Sequence, residues 1–172
     1  MKIEKLIVGP LQTNCYFLIN DNDLIIVDPG EDFEDINAKI DGRTLKAVLL
    51  THDHFDHVGA LDAILNKYGA LLNPEKVKGF NYEVIKTPGH SKDSICFYFE
   101  EEKIILTGDC IFKNTFGRTD LEGGSNKEMI ESIKLLEEYP DDICIYPGHG
   151  PESILGEEKR YFTSYYKYLE GL

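Results

Sequence analysis

The sequence holds five histidines: His52, His54, His57, His90 and His149. Three stand in the run His52-Asp53-His54-Phe55-Asp56-His57, an H-x-H-x-D-H pattern. The other two each close a Pro-Gly-His triplet, at 88–90 and 147–149. Neutral imidazole nitrogens and carboxylate oxygens are ligands for zinc, iron or manganese. Close spacing lets one loop deliver several donors with little chain entropy to lose. Alternate side chains of an extended segment point the same way, so His52, His54 and Asp56 can share a face. His57 then opens a helix. Asp109, after Gly108, completes a set of seven donors: His52, His54, Asp56, His57, His90, Asp109 and His149. A single tetrahedral ion takes about four ligands, so seven suit two ions. Two ions roughly 3.5–4 Å apart need a bridge. Asp109 has two carboxylate oxygens and is the candidate, with a water or hydroxide as the second bridge. Cys110, its neighbour, is a weaker candidate thiolate ligand.

The elements around these residues place the donors at strand ends. Strands are expected near 2–8, 14–20 and 23–28, followed by a helix at about 31–41 that Gly42 stops. Ala47 to Leu50 reads as a continuous apolar strand that runs into the first histidine loop. Val58, Leu61, Leu65 and Tyr68 recur at helical spacing and predict one helix over 57–68. Further strands are expected near 82–87, 94–99 and 103–108, with Glu100-Glu101-Glu102 as a hairpin turn. Ser125 and Glu128 form a capping box for a helix that ends near Pro140. A strand at 143–146 and a terminal helix from about 157 finish the chain. Strands mixed with helices mean an α/β layered domain, and α/β sheets place ligands in the loops at their strand ends.

The 172 residues suit a single domain over 1–172. Lys and Arg number 18 and Asp and Glu 31, a net charge of −13. Such a surface repels phosphate backbones and anionic membranes, so neither nucleic acid nor a membrane is an expected partner. No apolar run reaches the roughly 20 residues of a membrane span. Cys15, Cys96, Cys110 and Cys144 form no C-x-x-C pair and read as free, buried thiols of a reducing cytosol. The opening MKIEKLIVGP is too short in apolar residues for a secretory leader. A cytoplasmic location is the resulting expectation.

T-H-D-H-F-D-H at 51–57, P-G-H-S at 88–91, G-D at 108–109 and P-G-H-G at 147–150 resemble the metallo-β-lactamase superfamily, and within it the glyoxalase II-like branch. Val27-Asp28-Pro29-Gly30 is similar to that family's N-terminal strand and turn. The resemblance implies a four-layer αββα sandwich, of mixed α/β class, with a dinuclear site at one edge of the sheets. It implies His52, His54 and His90 on one metal, Asp56, His57 and His149 on the other, and Asp109 shared. Asp28 would steady the histidine loop from behind; its alternative is a plain turn residue.

Phe116-Gly117-Arg118-Thr119-Asp120 looks like the G-R-[ST]-D stretch of short glyoxalase II-like hydrolases, which persulfide dioxygenases share. Arg118 is a candidate clamp for a substrate carboxylate. The alternative is an Arg118–Asp120 ion pair that shapes the loop. Lys113 is a second, weaker substrate-binding candidate. Two departures from the longer relatives stand out. Only some 20 residues follow His149, too few for the added helical domain that helps glyoxalase II hold glutathione; Tyr161, Phe162, Tyr165 and Leu169 are expected to pack on the core instead. And 32 residues separate His57 from His90, which leaves little room for a substrate-covering insertion.

The resemblance implies hydrolysis of a small thioester or ester, with two divalent ions, zinc first and iron or manganese as alternatives. A metal-bridging hydroxide would be the nucleophile and Asp56 and Asp109 the catalytic residues. The substrate would be a small molecule of S-acylglutathione type. An iron-dependent persulfide dioxygenase is the first alternative. A non-catalytic metal-binding module is the second. The sequence does not encode the oligomeric state.

Overall fold

Apolar and β-branched residues dominate the chain before Asp28, broken by two short polar turns. They form an antiparallel meander of β1 (Lys2–Val8), β2 (Thr13–Asn20) and β3 (Asp23–Val27). At the tight β2–β3 turn Asp21 adopts positive φ, which aspartate tolerates better than most residues. The computed structural model describes residues 1–171. It divides into two compact units, Met1–Tyr82 and a second from Glu83 onward.

In the first unit α1 (Phe33–Ile40) carries the chain over to β4 (Thr44–Leu49), which pairs parallel to β3. The helix expected over 57–68 is in fact two: α2 (Phe55–Val58) and α3 (Leu61–Tyr68). The break has a hydrogen-bonding cause. The Ala60 amide donates to the Pro29 carbonyl at 3.0 Å instead of continuing the first helix's ladder. A two-residue strand, β5 (Leu71–Leu72), then adds parallel to β4, too short to be read from pattern. The sheet order is β1-β2-β3-β4-β5. Phe17, Ile19, Leu24, Ile26 and Val48 pack against Ile36 and Ile40 of α1 and Ile64 of α3. Phe33, expected on the same helix face, is only partly buried at its rim.

The second unit repeats this plan. β6 (Glu83–Lys86), β7 (Ile95–Phe99) and β8 (Ile104–Gly108) form an antiparallel meander. A small hairpin, β9 (Ile111–Phe112) and β10 (Thr115–Phe116), follows; its two-residue strands leave no period in the sequence. α4 (Asn126–Glu137) leads to β11 (Cys144–Pro147), parallel to β8. β12 (Ser153–Ile154) and α5 (Leu155–Glu170) close the chain. The order is β12-β11-β8-β7-β6. Ile105, Ile111, Ile133, Leu136, Ile145 and Phe162 are the centre of the core, with Tyr165 and Leu169 at its edge. Tyr161 departs from expectation: it is 43% exposed and does not belong to that core.

Three of the four cysteines are buried free thiols, and Cys144 is half-buried. Cys110 points into the core beside Cys96 and Ile111, which rules it out as a metal ligand. Among the described residues no helix is long and apolar enough to cross a membrane.

Candidate metal centre

Strand direction brings the donors of each unit together. In the first unit β3 and β4 run parallel, with Val27 opposite Leu49. Their carboxyl ends therefore lie side by side, and the Asp28 amide donates to the Leu49 carbonyl at 3.0 Å. Asp28 then meets the histidine loop directly. One carboxylate oxygen accepts from the Thr51 amide at 2.8 Å, and the other from the Thr51 hydroxyl at 2.7 Å. That second oxygen also lies 3.0 Å from His57 Nδ1. A carboxylate accepts only, so His57 carries its proton on Nδ1 and presents a lone pair on Nε2. The Thr51 hydroxyl, its own proton committed to Asp28, can accept from His52 Nδ1 at 3.1 Å. His52 thus also presents Nε2.

The rings gather closely. His52 and His54 centroids are 4.6 Å apart and His52 and His57 4.1 Å. Asp56 reaches this group by another route than expected. It lies on the first turn of α2, so extended-strand alternation does not carry it. Its Oδ2 lies 3.4 Å from His57 Nε2 and accepts from the Thr13 hydroxyl at 2.8 Å. Thr13 is the first residue of β2, 43 positions earlier, and no sequence signal marks it.

In the second unit β8 and β11 run parallel, with Gly108 opposite Pro147. The Gly148 amide donates to the Gly108 carbonyl at 2.9 Å, which sets Asp109 beside His149. β6 runs in the direction of β8 because both are antiparallel to β7, so His90 emerges at the same edge. Asp109 Oδ2 lies 3.4 Å from His90 Nε2 and 3.5 Å from His149 Nε2. His90 Nδ1 lies 2.7 Å from the Arg118 carbonyl, which can only accept; Nε2 is again the atom left for a ligand. The 88–90 loop is itself held by α4, since the Ser125 amide donates to the Gly89 carbonyl at 2.8 Å.

Arg118 places its guanidinium on Asp120, with Nε and one Nη donating to the two carboxylate oxygens at 2.7 and 2.8 Å. The Arg118–Asp120 ion pair is thus formed, and it occupies the fork that a substrate carboxylate would need. Lys113 is exposed in the turn between β9 and β10.

The metallo-beta-lactamase superfamily model matches residues 8–76 and 71–149. The chain belongs to the metallo-beta-lactamase superfamily. A probable metallo-hydrolase of Bacillus subtilis is 35% identical, covering 92% of this chain and 95% of the relative. The Haemophilus influenzae protein named hydroxyacylglutathione hydrolase GloC is 33% identical, covering 93% and 96%. The crystal structure of BLEG-1 B3 metallo-beta-lactamase superposes with a TM-score of 0.87 at 30% identity, covering 92% of this chain and 97% of that one. The metallo-beta-lactamase fold is therefore that of this chain. The donor chemistry suits the metal ions this superfamily binds: His52, His57 and His90 are each held in the tautomer that frees Nε2, and two imidazole nitrogens converge on one Asp109 oxygen.

Proposed function

We propose that this metal-dependent hydrolase cleaves a small thioester or ester, adding water across the carbonyl–sulfur or carbonyl–oxygen bond to give an acid and a thiol or alcohol. The observation that carries the reading is the Nδ1-protonated tautomer of His52, His57 and His90, which leaves each Nε2 lone pair for a ligand, combined with the double approach to Asp109 Oδ2. Support comes from the relative named as a hydroxyacylglutathione hydrolase. His52, His54 and His90 would hold one divalent ion and Asp56, His57 and His149 the other, with Asp109 shared. Such a pair supplies hydroxide at neutral pH and polarises the carbonyl. Asp56 and Asp109 keep the donors aligned around the reacting centre; Thr13 fixes Asp56 by its hydroxyl. A departing thiolate needs little acid assistance, because thiol pKa values lie near 8.5. Zinc is the proposed metal, with iron or manganese compatible with the same donors.

The test is elemental analysis of protein purified without added metal, with thioester hydrolysis assayed on the same sample. Two metals per chain, hydrolysis of S-lactoylglutathione or phenyl thioacetate, and loss of both on chelation support the proposal. Close to one iron per chain with oxygen uptake on glutathione persulfide, and no thioester hydrolysis, would overturn it in favour of a dioxygenase.

A further inference from the structure

Glu158 is a buried acid with no place among the metal donors. It lies in the first turn of α5 and is only 2% exposed. Burying a carboxylate is costly unless hydrogen bonds compensate it. Here Oε2 accepts from the Asn114 amide at 2.7 Å, across 44 positions of sequence. Asn114 is the second residue of the turn between β9 and β10, at φ 62. That hairpin needs an anchor. Each of its strands has two residues, and an isolated hairpin so short does not hold together in water. α5 holds it at two places. Glu158 takes the turn, and the Tyr165 ring lies 5.0 Å from that of Phe116 on β10. The base is held separately, by the Thr107 hydroxyl, which donates to the Ile111 carbonyl at 2.9 Å.

The hairpin in turn touches the donors of the second unit. The Phe112 ring of β9 stands edge-to-face against His149, with centroids 6.1 Å apart and planes at 68°. The Gly117 amide donates to the Cys110 carbonyl at 3.1 Å and so closes the open end of the hairpin beside Asp109. The next residue is Arg118, whose carbonyl lies 2.7 Å from His90 Nδ1. A hairpin this short tilts as one piece. The position of its turn therefore sets both the ring against His149 and the carbonyl that orients His90.

We propose that Glu158 is a positioning residue of the metal centre: by holding the Asn114 amide it fixes the tip of the β9–β10 hairpin, which seats His149 and His90 for their ions. The inference rests on the ligand roles proposed above for these two histidines and on no particular substrate. An acid in a first turn also stabilises a helix through its charge, and the two roles differ in what they need. The bond to Asn114 needs the length of the Glu side chain and any oxygen at its end. The helix terminus needs charge and accepts the shorter Asp equally well.

The experiment measures zinc affinity of the full chain by competition with a chromophoric chelator, and the visible absorption bands of the cobalt-loaded protein. Glu158→Asp keeps the charge and draws the oxygen back by one methylene. It should lower zinc affinity about three- to tenfold, below the roughly 10- to 100-fold of groups that bond a ligand directly, and shift the cobalt bands. Glu158→Gln keeps the reach and loses the charge, and should restore both readings. Phe162→Leu, a core change on the same helix, should lower the melting temperature and move neither. The reverse order, with Gln impaired and Asp like wild type, overturns the proposal. So does wild-type affinity in both Glu158 variants, or an equal loss in Phe162→Leu. Wild type that bound no zinc would overturn the ligand roles and this inference together. Zinc-loaded wild type that failed to hydrolyse any thioester, with the contrast between Asp and Gln intact, would sink only the proposed activity.

Discussion

Asp28 Oδ2 lies 3.0 Å from His57 Nδ1, and both groups are buried. The same carboxylate accepts from the amide and hydroxyl of Thr51, so one side chain sets two histidines of the loop. Asp28 itself sits at φ 51, a conformation that Asn also tolerates. Asp28→Asn should therefore keep the backbone and lose the charge. The amide can present its NH₂ towards His57, which no longer fixes the proton on Nδ1. Metal affinity should fall about 10- to 100-fold, as for other residues that orient a ligand from behind. Competition against a chromophoric chelator measures it. An unchanged affinity would reduce Asp28 to a turn residue.

Two glycines stand against the backbone of Asp56 and Asp109, the two aspartates proposed as ligands. A Cβ at Gly117 would stand 1.8 Å from the Asp109 carbonyl oxygen, and one at Gly30 would stand 1.9 Å from the Asp56 carbonyl oxygen. Both obstacles are backbone and cannot rotate away. Gly117→Ala and Gly30→Ala should each cost roughly 1–3 kcal/mol or more. Each should also displace its aspartate, so metal per chain should fall together with the urea midpoint. A variant that kept full metal content would show that the loop has room to shift.

The candidate donors stand out in the sequence because the same rare residue types recur at strand ends, a pattern independent of distant packing. The N-cap at Ser125 was readable for a related reason: it is local, and Ser125 does accept from the Glu128 amide at 3.3 Å, while the Ser125 amide that the other half of a capping box would use donates to the Gly89 carbonyl. Asp28 is marked in the sequence by the turn it occupies, but its bond to His57 spans 29 positions and depends on the parallel β3–β4 pairing. Thr13 carries no signal, because a threonine at the start of a strand looks like any other. The break between α2 and α3 was hidden because Val58, Leu61 and Leu65 keep helical spacing across it; a carbonyl of Pro29 decides it. The strands β5, β9, β10 and β12 have two residues each, too few to show a period.

Ser125 links helix stability to the 88–90 loop. Its hydroxyl caps α4, and its amide bonds the Gly89 carbonyl. Ser125→Ala removes the first and keeps the second. The expected loss is about 1 kcal/mol, read as a lower urea midpoint with an unchanged slope. Metal content should stay at the wild-type value, since the main-chain bond to Gly89 survives. Ser125→Asp should restore the midpoint, because aspartate caps as well as serine and its charge favours the helix N-terminus.

Glu4 on β1 lies 2.6 Å from Lys2 and 2.7 Å from Lys39 of α1. Hydrogen bonds from Lys2 and then Lys39 lower its pKa from 4.5 to about 2. The folded state therefore holds Glu4 ionised more firmly than the unfolded chain does. Its contribution is fully present above the unfolded value and is lost as pH falls from there toward 2. The group is only partly covered and salt screens it, so the contribution at pH 7 is at most about 1 kcal/mol. Glu4→Gln should lower the urea midpoint slightly at pH 7. The gap to wild type should narrow below pH 4.5 and also shrink in 1 M salt, where the screening length is about 3 Å. A gap that stayed constant with pH would mean that Glu4 acts through the packing of its stem on Lys39 and not through its charge.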